Sequence, residues 1–225
     1  MGMDTTRRTF LAGAAGLSVG LAGCLGGQGG DQGTPLTEHA VGQGIDDQPY
    51  QGVRPTESDA VVVAFEDPSC SRCRVFDRDT VPEIRSQLTE PGEGTFVYRH
   101  LPNVEPWGER AIRALEATFA RSDAAHWALV AHYFDQQDAF DDAGTEGVYD
   151  RTAAFLDAET EVDGEAVVAD AEAGTYQDAV QADVDAADEA GAVITPTVFL
   201  FSEGTFATRA QGSVSFTLIE QALGL

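Results

Sequence analysis

Apolar positions along this chain fall into patterns that separate strands from helices. Asp59-Ala60-Val61-Val62-Val63-Ala64-Phe65 is a short, continuous, β-branched run, the pattern of a strand covered on both faces. Val198 to Phe201 repeats it near the C-terminus, and Thr95 to Leu101 and Phe206 to Ala210 supply two more strands. Ser202-Glu203-Gly204-Thr205 reads as the hairpin turn joining the last pair. From about 104 to 190 the apolar spacing changes to that of helices. Positions 111, 112, 115 and 119 share one helical face, and Trp127, Val130 and Phe134 share another. Val148 to Leu156 forms a third helix, and Glu165 to Glu189 a fourth that Gly174 interrupts. His126, Trp127, His132 and Tyr133 read as core and rim positions of this block. Thr217 with Glu220 offers a capping box for a final amphipathic helix.

The N-terminal pattern is different. Leu11 to Ala22 is a run of about a dozen small apolar residues, too short and too rich in glycine to cross a bilayer core of roughly 30 Å, so it reads as a signal segment. Arg7-Arg8 followed by Thr-Phe-Leu resembles a twin-arginine export signal, and Leu21-Ala22-Gly23-Cys24 resembles the site at which a cysteine is lipidated and becomes the new N-terminus. The expected organisation is a signal peptide over 1–23, a lipidated Cys24 with a flexible Gly- and Gln-rich tether over 24–45, and a domain over 46–225. Two acyl chains on Cys24 are expected, because one anchors only marginally. The location implied is the outer face of the cytoplasmic membrane.

Composition sharpens this. The chain has 225 residues and a formal net charge of -25, with 43% hydrophobic residues, which is too apolar for a wholly disordered acidic chain and suits a single domain. So negative a surface repels phosphates and argues against nucleic acid as a partner. All 13 basic residues are Arg, with no Lys. This acid excess resembles proteins of salt-loving archaea, in which concentrated cations screen self-repulsion. Cleavage before Cys24 removes Asp4, Arg7 and Arg8, so the acidity belongs to the exported domain.

With Cys24 set aside, one cysteine pair remains, Cys70 and Cys73, spaced as Cys-Ser-Arg-Cys. Residues three apart share a helix face at a separation a disulfide can bridge. Asp67 or Ser69 is the expected helix N-cap, with Pro68 in the first turn, which puts Cys70 inside the first turn of a helix leaving the buried strand. There the free backbone N–H groups favour a thiolate; Arg72 and Arg74 add positive charge, while Glu66 and Asp67 oppose it. Cys70 is therefore the expected nucleophile with a lowered pKa, and Cys73, one turn deeper, the resolving thiol. None of the four histidines (39, 100, 126 and 132) stands at zinc-ligand spacing from the pair. An inert structural disulfide or a metal-binding pair remain as alternatives. His100, at a strand end, is nearer the expected site than the other histidines, but reads as structural.

Phe65-Glu66-Asp67-Pro68-Ser69-Cys70-Ser71-Arg72-Cys73 resembles the active-site segment of the DsbA-like thioredoxin-fold thiol–disulfide oxidoreductases. Thr95 to Pro102 is similar to that family's second strand and the turn leaving it, and Gly191-Ala192-Val193-Ile194-Thr195-Pro196-Thr197 to its cis-proline loop. The resemblance spans roughly 58–225. It implies an α/β, thioredoxin-like fold, a central mixed sheet flanked by helices, with an inserted helical subdomain at about 104–190. It implies also that Thr195–Pro196 is cis and that the Thr195–Pro196 segment pairs with an extended substrate. Ile194 stands where the family often has Gly, and Ser71-Arg72 where it often has Pro-His, so oxidising strength does not carry over. Ala64 stands where the family often buries an acid, which leaves Glu66 or Asp67 to relay protons.

The function these features imply is that of an exported, membrane-anchored oxidoreductase exchanging a Cys70–Cys73 disulfide with cysteines of extracytoplasmic proteins. Oxidase or isomerase is favoured because the outside of the cell permits disulfides. The dithiol is the redox group, so no other cofactor is expected, and a membrane redox partner would reset it. A reductase in the same setting, a copper(I)-binding lipoprotein and a non-catalytic thioredoxin-like module are the alternatives.

Overall fold

The computed structural model describes residues 32–225. The twin-arginine segment, the apolar run and Cys24 lie outside the described residues. Three short 3-10 turns at Leu36–Glu38, Ala40–Gly42 and Ile45–Asp47 precede β1 (Tyr50–Gly52) and β2 (Ala60–Glu66). Then come α1 (Ser71–Asp79), α2 (Val81–Ile84) and β3 (Thr95–His100). A helical block follows: α3 (Pro106–Phe119), α4 (Asp123–Asp135), α5 (Gln137–Glu159), α6 (Gly164–Ala173) and α7 (Gln177–Ala190). The chain ends with β4 (Thr197–Ser202), β5 (Thr205–Gln211) and α8 (Phe216–Leu223).

The five strands form one mixed sheet in the order β1-β3-β2-β4-β5. β2 runs parallel to β3 and antiparallel to β4, and every one of its residues is buried. The continuous apolar run in β2 follows from that position, since alternate side chains enter two different cores. Val62 and Ala64 join Phe96, Tyr98, Val198 and Leu200 on the face covered by α1, α3 and α8. Val61, Val63 and Phe65 join Val97, Phe199 and Phe201 on the opposite face, under Leu36, Val41, Ile45 and the alanines of α7.

The helical insertion stands between β3 and β4, where the periodicity places it, and Gly174 does end a helix, as a left-handed C-cap. Glu203 (φ 52°) and Gly204 (φ 70°) turn the β4–β5 hairpin, the paired positive φ that two-residue hairpins favour. Three expectations change. Residues 34–45, read as the end of a flexible tether, are packed: Phe206 N–H donates to Thr34 O at 2.8 Å and Leu36 N–H to Gly204 O at 2.9 Å. This segment shields the β5 edge, and Leu36, Val41 and Ile45 cover the sheet. The third helix of the insertion starts at Gln137 rather than Val148, with a break at Gly144 (φ 59°, ψ -167°). Its polar first half hides the helical period. The last helix is capped by Ser215, whose Oγ accepts from Leu218 N–H, rather than by Thr217.

Candidate active site

β2 delivers Glu66, Asp67, Pro68, Ser69 and Cys70 at its C-terminal end, and each is buried. The expected cap is corrected here. Cys70 is itself the N-cap of α1 (φ -83°, ψ 118°), and the helix begins at Ser71. Asp67 and Ser69 cannot cap α1 because their side chains are committed elsewhere. Asp67 Oδ1 accepts from Ser69 N–H at 2.8 Å and Ser69 Oγ–H at 2.6 Å, while Oδ2 accepts from Asn103 N–H at 2.9 Å and Val104 N–H at 3.0 Å. Ser69 Oγ in turn accepts from Glu105 N–H at 3.0 Å. One fully buried carboxylate therefore joins the Cys70 turn to the loop leaving β3. Gly108 permits this close approach: a Cβ there would stand 2.6 Å from Ser69 Oγ and closer still to Asp67 Oδ1.

Cys70 and Cys73 are free thiols, both buried, with Cys73 fully enclosed. Their environments differ. Hydrogen bonding from the Cys73 thiol holds the Cys70 pKa down to about 5; burial opposes this, and the Thr195 side chain and the amides of Cys73 and Arg72 reinforce it. An N-cap position aims first-turn N–H groups at the sulfur, which is the physical basis of the amide contribution. Burial pushes Cys73 well up, and its neighbours Cys70 and Glu66 add to the effect. The thiolate thus belongs on Cys70.

The other residues singled out in the sequence separate into two groups. Glu66 is 1% exposed and lies beside the pair; burial drives its carboxyl well up, Asp77 and Cys70 push in the same direction, and a hydrogen bond with Cys73 opposes them. Arg72 stabilises the thiolate through its amide; its exposed side chain extends towards Gly212. Arg74 pairs with Asp138 at 2.6 Å. In place of the expected arginine charge, the Cys73 thiol hydrogen bond lowers the Cys70 pKa, reinforced by the Thr195 side chain and the helix amides. Ser71 is exposed at the first position of α1 and lines a cleft with Trp107, Gln137 and Thr145.

Thr195 and Pro196 come from the loop before β4, and their peptide bond is cis. Cys70 Sγ lies 3.3 Å from the Thr195 carbonyl oxygen, which accepts from it only while the thiol is protonated, and the Pro196 carbonyl accepts from Gly212 N–H at 2.9 Å. Residues far apart in sequence thus share one site at one end of the sheet.

Several participants carried no readable sequence signal. Asn103 is tied to Asp67, Val193 and Thr195, and Gln137 Nε2 donates to Pro68 O at 2.7 Å, fastening α5 to the Cys70 turn. His100 lies in a buried ion network instead of at the thiols. Its Nδ1 is 2.9 Å from Glu116 Oε1, and Asp183, which pairs with Arg99 at 2.8 Å, accepts the His100 N–H at 2.7 Å. Burial alone would lower His100, but Asp183 and Glu116 outweigh it and raise its pKa to about 9. His100, Glu116 and Asp183 stand close enough to offer ligands to a metal, yet Arg99 and protonated His100 already balance the two carboxylates.

The family model described as thioredoxin matches residues 48–211. No curated protein matches the sequence. Among solved structures, oxidised BdbD from Bacillus subtilis superposes with a TM-score of 0.69 at 20% identity, covering 87% of this chain and 98% of that one. Alpha-DsbA1 from Wolbachia pipientis gives 0.64 at 16% identity, covering 79% and 92%. DsbA from Chlamydia trachomatis gives 0.64 at 15% identity, covering 79% and 88%. With its mixed sheet, its helical insertion between β3 and β4, and its paired cysteines at the end of β2, this chain belongs to the thioredoxin family and has the fold of the DsbA-type structures.

Proposed function

We propose that this protein is an exported thiol–disulfide oxidoreductase, held at the outer face of the cytoplasmic membrane by lipidated Cys24, that exchanges a Cys70–Cys73 disulfide with cysteines of other exported proteins. The observation that carries the reading is the asymmetry of the pair: Cys70 is an N-cap sulfur with a pKa near 5 beside the Thr195 carbonyl, and Cys73 is an enclosed thiol pushed the other way.

Acting as an oxidase, the disulfide form is attacked at the Cys70 sulfur by a substrate thiolate, and Cys73 leaves as a thiolate and takes up a proton. A second substrate thiolate then attacks the substrate sulfur of the mixed disulfide, releasing Cys70 as a thiolate. The substrate's two thiols lose two electrons and become a disulfide, and the pair gains those electrons. A low Cys70 pKa favours that release, because a stable thiolate is a good leaving group. The dithiol serves as the redox group without an external cofactor, and a membrane redox partner takes its electrons to restore the disulfide. Isomerase action uses the same site without net electron transfer. Glu66, beside Cys73, handles the proton of the resolving thiol, and the Thr195–Pro196 segment receives the substrate as an added strand.

Cys73→Ser tests the reading. Expressed in the native host, this variant accumulates substrates on Cys70 as mixed disulfides that a reductant releases; absence of such adducts overturns exchange. Cys24→Ala tests the anchor separately, by moving the protein from the membrane fraction into the soluble exported fraction.

A further inference from the structure

Asn103 links the two loops that carry the chemistry. Its backbone N–H donates to Asp67 Oδ2 at 2.9 Å, which fastens it to the carboxylate under the Cys70 turn. Its side chain reaches the other loop: Nδ2 donates to the Val193 carbonyl at 3.4 Å, and Oδ1 accepts from Thr195 Oγ1 at 3.2 Å. One amide thus grips the residues three and one before Pro196. Apolar packing does little to hold this stretch, since Val193 is 71% and Ile194 37% exposed. Its course is set by polar ties: those to Asn103 and that of Thr197 Oγ1 on the Ile194 carbonyl at 2.6 Å.

We propose that Asn103 is a positioning residue for substrate docking, which sets the orientation of the Thr195 peptide relative to the Cys70 sulfur. The assignment rests on the thiol-exchange reading above. Asn103 touches neither sulfur. A substrate strand that pairs with the Thr195 peptide is placed by that peptide's plane, and its cysteine must then meet Cys70 in line. Misplacement by about 1 Å is enough to slow such a step. Because Asn103 is exposed, its hydrogen bonds compete with water and contribute little to folding, so removing them leaves the domain intact. A small disulfide that docks no strand has no need of the device.

The test compares wild type, Asn103→Ala and Asn103→Asp in two single-turnover reactions: oxidation of the reduced protein by oxidised glutathione, which leaves as two reduced glutathiones, and reduction of the disulfide form by an extended peptide carrying two cysteines, which leaves as the peptide disulfide. Asn103→Asp keeps an acceptor for Thr195 but turns a carboxylate towards the Val193 carbonyl. Both variants are expected to lose about 10-fold in the second-order rate constant with the peptide. Their rates with glutathione stay within about twofold of wild type. A peptide rate equal to that of wild type overturns the assignment, as does an equal fall in both reactions, which would place Asn103 in support of the thiol or the fold. Wild-type protein inert in both reactions overturns the thiol-exchange reading itself, and the assignment with it.

Discussion

The Cys70 sulfur lies 3.3 Å from the carbonyl oxygen of Thr195, a residue 125 positions later in the chain. That contact joins the start of α1 to the loop before β4, so the proposed nucleophile and the proposed substrate-docking segment are held as one unit. Its chemistry depends on which of the two thiols keeps its proton.

With the Cys70 pKa at about 5 and Cys73 pushed upward, alkylation of the reduced protein at pH 7 should modify Cys70 almost exclusively. The rate should rise with a midpoint near pH 5. A midpoint near that of a free thiol, about 8.5, would remove the basis for thiolate stabilisation at the helix terminus.

The same asymmetry sets how the reduction potential varies with pH. Above pH 5 the reduced pair holds one proton, on Cys73, so reduction takes up one proton for two electrons and the potential falls by about 30 mV per pH unit. Below pH 5 it takes up two, and the slope doubles to about 59 mV. In linkage terms, the lowered Cys70 pKa stabilises the reduced fold fully above the ordinary thiol range and ceases to do so as pH falls through 5. Equilibration with a glutathione buffer across pH 4 to 8 reads this directly; a single slope of 59 mV throughout refutes it.

Glu66 tests the proton path. Glu66→Gln keeps the shape of the side chain and removes the titrating proton beside Cys73. Resolution of a mixed disulfide by Cys73 should slow by about 100-fold, the lower end of what a positioned acid–base group contributes. Stopped-flow measurement of that step, starting from a preformed Cys70 adduct, checks it.

Asp67 holds four hydrogen bonds and joins the Cys70 turn to the β3–α3 loop. Asp67→Asn must turn an amide donor against N–H or O–H donors, leaving buried groups unpaired at a cost of about 1–3 kcal/mol. Gly108→Ala attacks the same contact from α3, by pressing a methyl group against Asp67 and Ser69, with an overpacking cost of about 1–3 kcal/mol. Denaturant unfolding of both variants should show similar losses, and the double variant less than their sum, because both break one network.

His100 gives the fold a pH dependence of its own. Its pKa is raised to about 9 against an ordinary 6.5. The stability it contributes is therefore complete below pH 6.5 and lost as pH rises through 9. His100→Gln strips a cation from the buried carboxylates of Glu116 and Asp183 and should cost about 3–5 kcal/mol at pH 6. The gap between variant and wild type should narrow towards pH 10; a gap independent of pH would show that His100 is neutral.

The strands around the site were legible because they are buried on both faces or alternate regularly, so hydropathy reports them directly. The cysteine pair was legible because its spacing is itself the chemical requirement. The first half of α5 was hidden, since Gln137 to Glu146 is largely polar and Gly144 breaks the helix. The N-terminal 3-10 turns escaped for a related reason: Leu36, Val41 and Ile45 are too sparse to form a period, and only the sheet they cover shows what they do.

Local sequence determined the strand that carries Cys70, the helical block that follows β3, and the placing of Cys70 and Cys73 one turn apart, because each depends on neighbours within a few residues. Tertiary structure alone decided the rest. Whether Asp67 caps a helix or bridges two loops depends on amides at 103 and 104, and whether His100 serves catalysis or an ion network depends on Asp183. Likewise, an arginine next to a thiol in sequence gives it no charge when its side chain has somewhere else to go. A polar side chain acts through whichever partner lies within hydrogen-bonding distance, and for these residues the partner is set by how distant segments pack, which no short stretch of sequence encodes.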